Sequence, residues 1–370
     1  MENLITACLV TFLITIALVV VWMLAFVGNW GNLVSTVKFG QILSVIERVY
    51  IGEADTGEVC DDAFALMIES LGDRWSYYMT EEEYDRYQQV QSNSYSGIGL
   101  TLQQTQEGWL IIQVTKDSPA EKAGVAANMY LIAINDVRLS DESITEISAI
   151  MREEPDNVRI VTADEDGIEY EFKVSIEEIY QNPVSYEMKD GNIGYIKLDN
   201  FDETCADEAI KAVNALMEQG ATALLFDVRN NGGGYVTELC ELLDYLLPEG
   251  EIFVSVDENG KETVTRSDAD CIDLPMAVLV NENSYSAAEF FAAALREYDA
   301  AQIVGTQTTG KNRSQTNVIL ADGSAVHISS KQYLTPNRVD LTEQGGLTPD
   351  VVVENGENDP QLVDALALFH

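Results

Sequence analysis

Histidine is almost missing from this chain: 370 residues hold two, His327 and His370. That scarcity argues against histidine-based acid–base chemistry and histidine-rich metal sites. Bases are scarce as well, with 21 Lys and Arg against 62 Asp and Glu and a formal net charge of −41. A field of that sign repels phosphate backbones and anionic head groups, so nucleic acid is not an expected partner, and a solubilising surface accounts for most of the excess. The 8 prolines and the absence of low-complexity runs exclude a disordered or fibrous chain, and 46% hydrophobic residues can build a core. The length favours two or three domains. Five cysteines (8, 60, 205, 240 and 271) show neither metal spacing nor a CxxC pair. Free thiols are the expectation, not a disulfide framework.

Charge is absent in another sense from Leu4 to Val27, which also lacks Gly and Pro; the first base is Lys38. At about 1.5 Å per residue such a run is long enough for a hydrocarbon core of about 30 Å, and no small-x-small cleavage site follows. The expectation is a retained transmembrane helix within residues 1–30, a single-pass anchor in the cell membrane. Flanking charge leaves its orientation open.

A helical region over 31–92 follows. Phe39, Leu43, Ile46 and Tyr50 share one helical face, as do Phe64, Met67, Ile68 and Leu71, while Thr80 with Glu83 forms a capping box. Residues 93–180 read as a small strand-rich module. Leu110, Ile112 and Val114 alternate, Ser118-Pro119-Ala120-Glu121 opens a short helix closed by Gly124, and Asp166-Gly167 turns a hairpin. From 181 to 357 strands and helices alternate, as in an α/β core, leaving 358–370 as a tail.

Two strand-to-helix turns draw attention. Asn230-Asn231-Gly232-Gly233-Gly234 offers backbone N–H groups without side-chain obstruction, and Asn283-Ser284-Tyr285-Ser286-Ala287 sets a hydroxyl at a helix N-terminus, where an oxyanion is favoured. Ser286 with Glu289 also reads as an ordinary capping box. A serine nucleophile needs a base. His370 is terminal and His327 lies in an alternating strand, so the remaining candidate is a lysine kept neutral, which requires lowering its pKa from about 10.4 to about 7 at a cost of roughly 4–5 kcal/mol. Lys311, in Thr308-Thr309-Gly310-Lys311-Asn312 with Gln315 four residues on, meets the description. Gly305 to Lys311 also satisfies GxxxxGK, the start of a phosphate loop. Asn312 replaces the magnesium-binding Ser or Thr, however, and a strand follows in place of a helix.

The ordered set Leu224-Leu-Phe-Asp-Val-Arg-Asn-Asn-Gly-Gly233, Val278-Leu-Val-Asn-Glu-Asn-Ser-Tyr-Ser-Ala-Ala-Glu289, Gly305-Thr-Gln-Thr-Thr-Gly-Lys-Asn-Arg-Ser-Gln315, Tyr333-Leu-Thr-Pro336 and Gly346-Leu-Thr-Pro-Asp350 resembles the carboxy-terminal processing, or tail-specific, serine peptidases. Leu71 to Met79 resembles the stretch before their PDZ domain. The resemblance implies a multidomain α/β protein: a Clp/crotonase-like peptidase core with an inserted PDZ domain, an N-terminal helical arm and the transmembrane helix. By position it makes Ser286 the nucleophile, Lys311 the general base and Gln315 the residue orienting that lysine. Gly233 and Ala287 supply the oxyanion hole, with Gly232 an alternative to Gly233. Ser96-Gly97-Ile98-Gly99-Leu100 resembles the PDZ carboxylate-binding loop, with Gly97, Ile98, Gly99 and Leu100 as peptide-binding residues. Asn128-Met129 and Glu153 depart from the family's glycines, and Arg152 stands where some relatives join PDZ and core. The implied activity is ATP-independent endoproteolysis near the C-terminus of extracytoplasmic proteins that present free C-termini, with no metal or organic cofactor. A homo-oligomer is compatible with this, and a non-catalytic tethered PDZ scaffold is the rival reading.

Overall fold

The computed structural model describes residues 10, 12–21, 30–139, 144–152 and 155–370. Two compact units divide the chain, Met1–Tyr78 and Met79–His370.

In the first unit, helices α1 (Trp30–Val49) and α2 (Thr56–Glu69) meet through Phe39 and Phe64, whose rings stack 5.5 Å apart. Asp55 caps α2 by accepting the Gly57 N–H at 2.8 Å. The inner face of α2 is narrower than its periodicity predicts: Ile68 is buried, whereas Met67 and Leu71 are exposed. The transmembrane helix expected over Leu4–Val27 is not upheld. Among the described residues no helix is long and apolar enough to cross a membrane. The described helical residues 12–21 account for about 15 Å, and α1 carries Lys38, Glu47 and Arg48. Residues 4–9, 11 and 22–27 of the expected span lie outside the described residues.

The second unit opens with α3 (Glu81–Gln91), whose capping box forms as expected: the Glu83 carboxylate accepts the Thr80 N–H at 2.9 Å, and the Thr80 hydroxyl accepts the Glu83 N–H at 3.3 Å. Strand β1 (Ser94–Gly97) then enters the small module and β7 (Glu177–Tyr180) leaves it, the two pairing antiparallel. Between them β2 (Leu100–Thr105), β3 (Gly108–Val114), β4 (Tyr130–Ile134), β5 (Val158–Ala163) and β6 (Glu169–Val174) form one sheet in that order. Helices α4 (Pro119–Ala123) and α5 (Ile144–Arg152) belong to the same module, which has its own core around Ile98, Ile111, Ile134, Ile147 and Ile160. In β3 the buried face is Trp109 and Ile111, out of phase with the expected alternation, and Ile112 is exposed. Asn128 explains one departure from the family pattern: at φ 66° it holds the left-handed conformation that glycine adopts freely and asparagine tolerates.

The remaining strands build a sheet ordered β8 (Val184–Lys189), β9 (Ile193–Leu198), β10 (Ala223–Asp227), β13 (Met276–Val280), β14 (Ala301–Gly305) and β17 (Val351–Val352). Only the β8–β9 pair is antiparallel; the later pairs are parallel. The near-continuous apolar runs of β10 and β13 are buried at every position, as strands covered on both faces require. One face carries α6 (Cys205–Glu218), α7 (Val236–Leu246) and α8 (Ala287–Glu297), packed around Phe201, Phe226, Phe290 and Phe291. The opposite face is covered by α9 (Pro360–Ala367), so the segment read as a tail folds as a docked helix. Its cap Asp359 joins Arg229, which also clasps Asp227 at the end of β10. A second sheet joins β11 (Gly250–Val256) with β12 (Glu262–Ser267) and with β16 (Ala325–Leu334), which also pairs with β15 (Arg313–Ile319).

Candidate active site

Parallel strands bring the candidate residues together. β10, β13 and β14 are neighbours, with Asp227 opposite Leu279 and Val280 opposite Gly305. Their carboxyl ends therefore lie along one edge of the sheet, where open α/β sheets place their ligands. The glycine turn, the Ser286 turn and the Lys311 loop all issue from that edge.

Each turn is held by buried amides. Asn231, fully buried, donates to the Leu198 carbonyl at 2.9 Å and accepts the Gly233 N–H at 2.8 Å. Asn281 accepts the Asn230 N–H and donates to the Asn230 side chain, both at 2.9 Å. Ser284 accepts the Asn281 N–H at 3.0 Å and donates to the Val228 carbonyl at 2.7 Å. Gly233 has φ 90°, and a Cβ there would fall 2.8 Å from Ser286 Cβ and 3.0 Å from Ala287 N. The glycine is what allows the turn to lie against the serine.

Ser286 is 9% exposed and adopts φ 58°, ψ −125°, a conformation that costs a non-glycine residue about 1–3 kcal/mol. It is the cap residue of α8, and Glu289 reaches back to accept its N–H at 3.0 Å. The reach does not stop there. Glu289 also accepts the Gly310 N–H at 2.6 Å, the Lys311 N–H at 2.8 Å and the Thr308 hydroxyl. One wholly buried carboxylate thus pins the serine turn to the lysine loop. Burial pushes its pKa up while these donors pull it down, and burial prevails. In the sequence Glu289 reads only as a capping residue, because its partners lie on a loop 19–22 positions away.

Gly346 and Leu347 brace the same loop. A Cβ on Gly346 would meet the Thr308 carbonyl oxygen at 2.1 Å, and the Leu347 N–H donates to Thr308 Oγ1 at 2.7 Å. Lys311 Nζ lies 5.7 Å from the centre of the Tyr285 ring. Gln315 falls on β15 beside Ser329, its amide donating to the Ser329 hydroxyl at 3.0 Å and to the Arg313 carbonyl at 3.2 Å. His327 lies on β16 opposite Asn317, 2.6 Å from its side chain, and meets the edge of Tyr87: a strand-face imidazole. No helix follows Lys311, which removes the phosphate-loop reading.

In the small module Gly97 ends β1, Leu100 begins β2, and Ile98 is buried between them. Gly99 has φ 87°, and a Cβ there would collide with Ser118 at 2.2 Å. Ala120 N–H donates to the Ile98 carbonyl and Thr115 N–H to the Gly99 carbonyl, at 2.9 and 2.8 Å. The carbonyls of the loop are thereby turned inward.

The parallel sheet thus gathers a capped serine, a lysine loop and glycine amides at its carboxyl edge, and is joined to a module with a glycine-lined loop. Known proteins match both parts. Residues 192–353 match the model of peptidase family S41 and residues 110–164 match that of the PDZ domain. The "Carboxy-terminal processing protease CtpA" of Bacillus subtilis (strain 168) is 30% identical over 323 residues, covering 86% of this chain and 69% of that protein. The "Probable CtpA-like serine protease" of Staphylococcus aureus (strain COL) is 27% identical over 322 residues, covering 86% of this chain and 64% of that protein. A solved "Putative S41 protease" from Bacteroides fragilis NCTC 9343 shares the fold, with a TM-score of 0.56 at 15% identity, covering 89% of this chain and 96% of that one. The chain belongs to the carboxy-terminal processing serine proteases of peptidase family S41, with a PDZ domain.

Proposed function

We propose that this peptidase cuts with a Ser286–Lys311 pair, near the C-terminus of extracytoplasmic proteins held by the PDZ domain. The observation that carries the reading is the Glu289 carboxylate, which takes N–H groups from both Ser286 and Lys311 and so fixes the two backbones in one frame. Neutral Lys311 accepts the Ser286 proton as Oγ attacks the scissile carbonyl, then returns it to the leaving amine. Water hydrolyses the acyl-enzyme by the same route. In this reading Gln315, its NH₂ engaged by Ser329, orients the lysine by accepting from its amine through Oε1. Ala287 N–H at the start of α8 is one oxyanion donor. The second comes from the glycine turn: Gly233, whose N–H exchanges Asn231 Oδ1 for the oxyanion, or Gly232. Gly97, Ile98, Gly99 and Leu100 receive the substrate carboxylate on backbone N–H groups, and β2 pairs with the tail.

The test compares wild type, Ser286→Ala, Lys311→Ala and Lys311→Arg on peptides with free C-termini. All three variants should be inactive yet folded, because guanidinium stays protonated and cannot serve as base. An active Lys311→Arg enzyme, or activity lost with His327→Ala, would assign the base elsewhere. Accessibility of the folded peptidase to an impermeant label on intact cells tests the extracytoplasmic placement.

A further inference from the structure

Tyr285 stands immediately before the candidate nucleophile and touches two elements of the site at once. Its phenol end lies against the glycine turn: a Cβ on Gly232 would meet the hydroxyl at 2.5 Å and the ring carbon Cζ at 2.8 Å. Its backbone N–H donates to the Asn231 carbonyl at 3.1 Å, tying the same residue to the turn a second time. Across the ring lies Lys311, with Nζ 5.7 Å from the centroid. That is within the range in which the negative face of an aromatic ring attracts an ammonium. The bare Gly232 surface is therefore the floor on which the ring lies, and the ring is a wall for the lysine.

We infer that Tyr285 is a positioning residue for the peptidase reaction, its ring holding the Lys311 amine beside Ser286 and favouring the protonated state that forms when the serine is deprotonated. The inference rests on the Ser286–Lys311 reading. The charge it concerns appears during the reaction: as the bond from Ser286 Oγ to the carbonyl carbon forms, the proton passes to Lys311 Nζ, and the ring face attracts the ammonium so produced. Charged groups on the elements around Lys311 are Glu282, Glu289, Arg313, Asp340 and Glu343. All remain when the ring is changed, so a comparison across ring variants isolates the ring.

The experiment measures the rate at which a fluorophosphonate phosphonylates Ser286, with loss of fluoride, against pH, in wild type, Tyr285→Phe, Tyr285→Leu and Gly232→Ala. Phe keeps the aromatic face, and its rising limb should coincide with wild type. Leu keeps an apolar side chain against the lysine but has no negative face. Its ammonium is less favoured and loses its proton at lower pH, so the limb should move to lower pH by about half a unit. The plateau rate should fall several-fold as the amine loses its wall. Gly232→Ala leaves the tyrosine and every N–H in place but pushes the ring off its floor, and should move the limb in the same direction. A ring with only a packing role would lower thermal stability in the Leu variant and leave the limb where it was, which overturns the inference. Lys311→Ala separates the two readings. If it labels as fast as wild type with the same pH dependence, the Ser–Lys pair falls and this inference with it. If it is unreactive while Tyr285→Leu keeps the wild-type limb, only the role of Tyr285 is lost.

Discussion

Ser286, the proposed nucleophile, is also a point of backbone strain. A positive φ of 58° at a serine in the buried start of a helix is paid for by the surrounding turns, which are fixed by Asn231, Asn281, Ser284 and Glu289. The strain has a measurable signature. Ser286→Gly should gain about 1 kcal/mol in urea unfolding, because glycine adopts that conformation without the Cβ clash, while activity disappears with the hydroxyl. Ser286→Ala should be equally inactive and show no such gain, since alanine keeps the Cβ. Equal stabilities for the Gly and Ala variants would mean that the turn relaxes easily and stores no strain.

The loop after β9 illustrates the same principle at the scale of an element. Asp202 is buried there, with its carboxylate accepting Gln91 Nε2 from the end of α3 at 2.7 Å. Burial first, then Glu203 and Glu238, raises its pKa to about 7. In the unfolded chain the value returns to about 3.9. Between those limits the native state binds the extra proton, so stability from this group is full below about pH 4 and is lost as pH rises through 7. Asp202→Asn, which keeps an acceptor for Gln91, should be more stable than wild type at pH 8 by a few kcal/mol, and equal to it at pH 4. Urea midpoints at the two values check this, and a constant difference at both would exclude Asp202 as the source. Elements of this kind were legible in the sequence to unequal degrees. The cap, proline and closing glycine of α4, the capping box of α3 and the buried runs of β10 and β13 were readable because their signals are local. Ser286, Lys311 and the glycine turn could be picked out as candidates from motif order. The fourfold role of Glu289, the Gly232–Tyr285 contact and the docking of α9 through Arg229 could not, because each depends on which strands become neighbours. The exposed Ile112 on β3 and the expected membrane span failed for a related reason: hydrophobicity along the chain states what could be buried, not which face is.

At the scale of the molecule, the strap that joins the PDZ domain to the peptidase core leads to the glycine turn. Asn93 donates to the Glu203 carbonyl and accepts from Asn200 Nδ2, both at 2.7 Å, directly before β1 carries the chain to the loop of Gly97 to Leu100. On the return, Gln181 N–H donates to the Asn93 carbonyl at 2.7 Å, and the Tyr180 and Thr204 hydroxyls share a hydrogen bond of 2.7 Å. Phe201, in the loop so gripped, donates its N–H to the Gly233 carbonyl and accepts the Tyr235 N–H, each at 2.7 Å. A continuous hydrogen-bonded path therefore runs from both ends of the PDZ domain to the turn beside Ser286, and such a path becomes evidence of coupling only when it is broken. Asn93→Gly cuts its Asn93 branch selectively, since Asn93 has φ 50° and glycine keeps that backbone while deleting both side-chain bonds. On the proposed function a free substrate carboxylate on the PDZ loop gains charge-assisted hydrogen bonds of about 1.5–3 kcal/mol each, so wild type should cleave a free-acid peptide at least ten-fold faster at low concentration than its C-terminal amide. In Asn93→Gly the acid peptide should bind as tightly by fluorescence anisotropy, while the acid-over-amide advantage in kcat collapses. The net charge of −41 repels acidic tails, so added salt should help those and leave apolar ones unchanged. Matched peptides in low and high salt, run on both proteins, decide the point: an undiminished kcat advantage in the variant would leave the PDZ domain as a tether that holds the tail without reaching the catalytic turn.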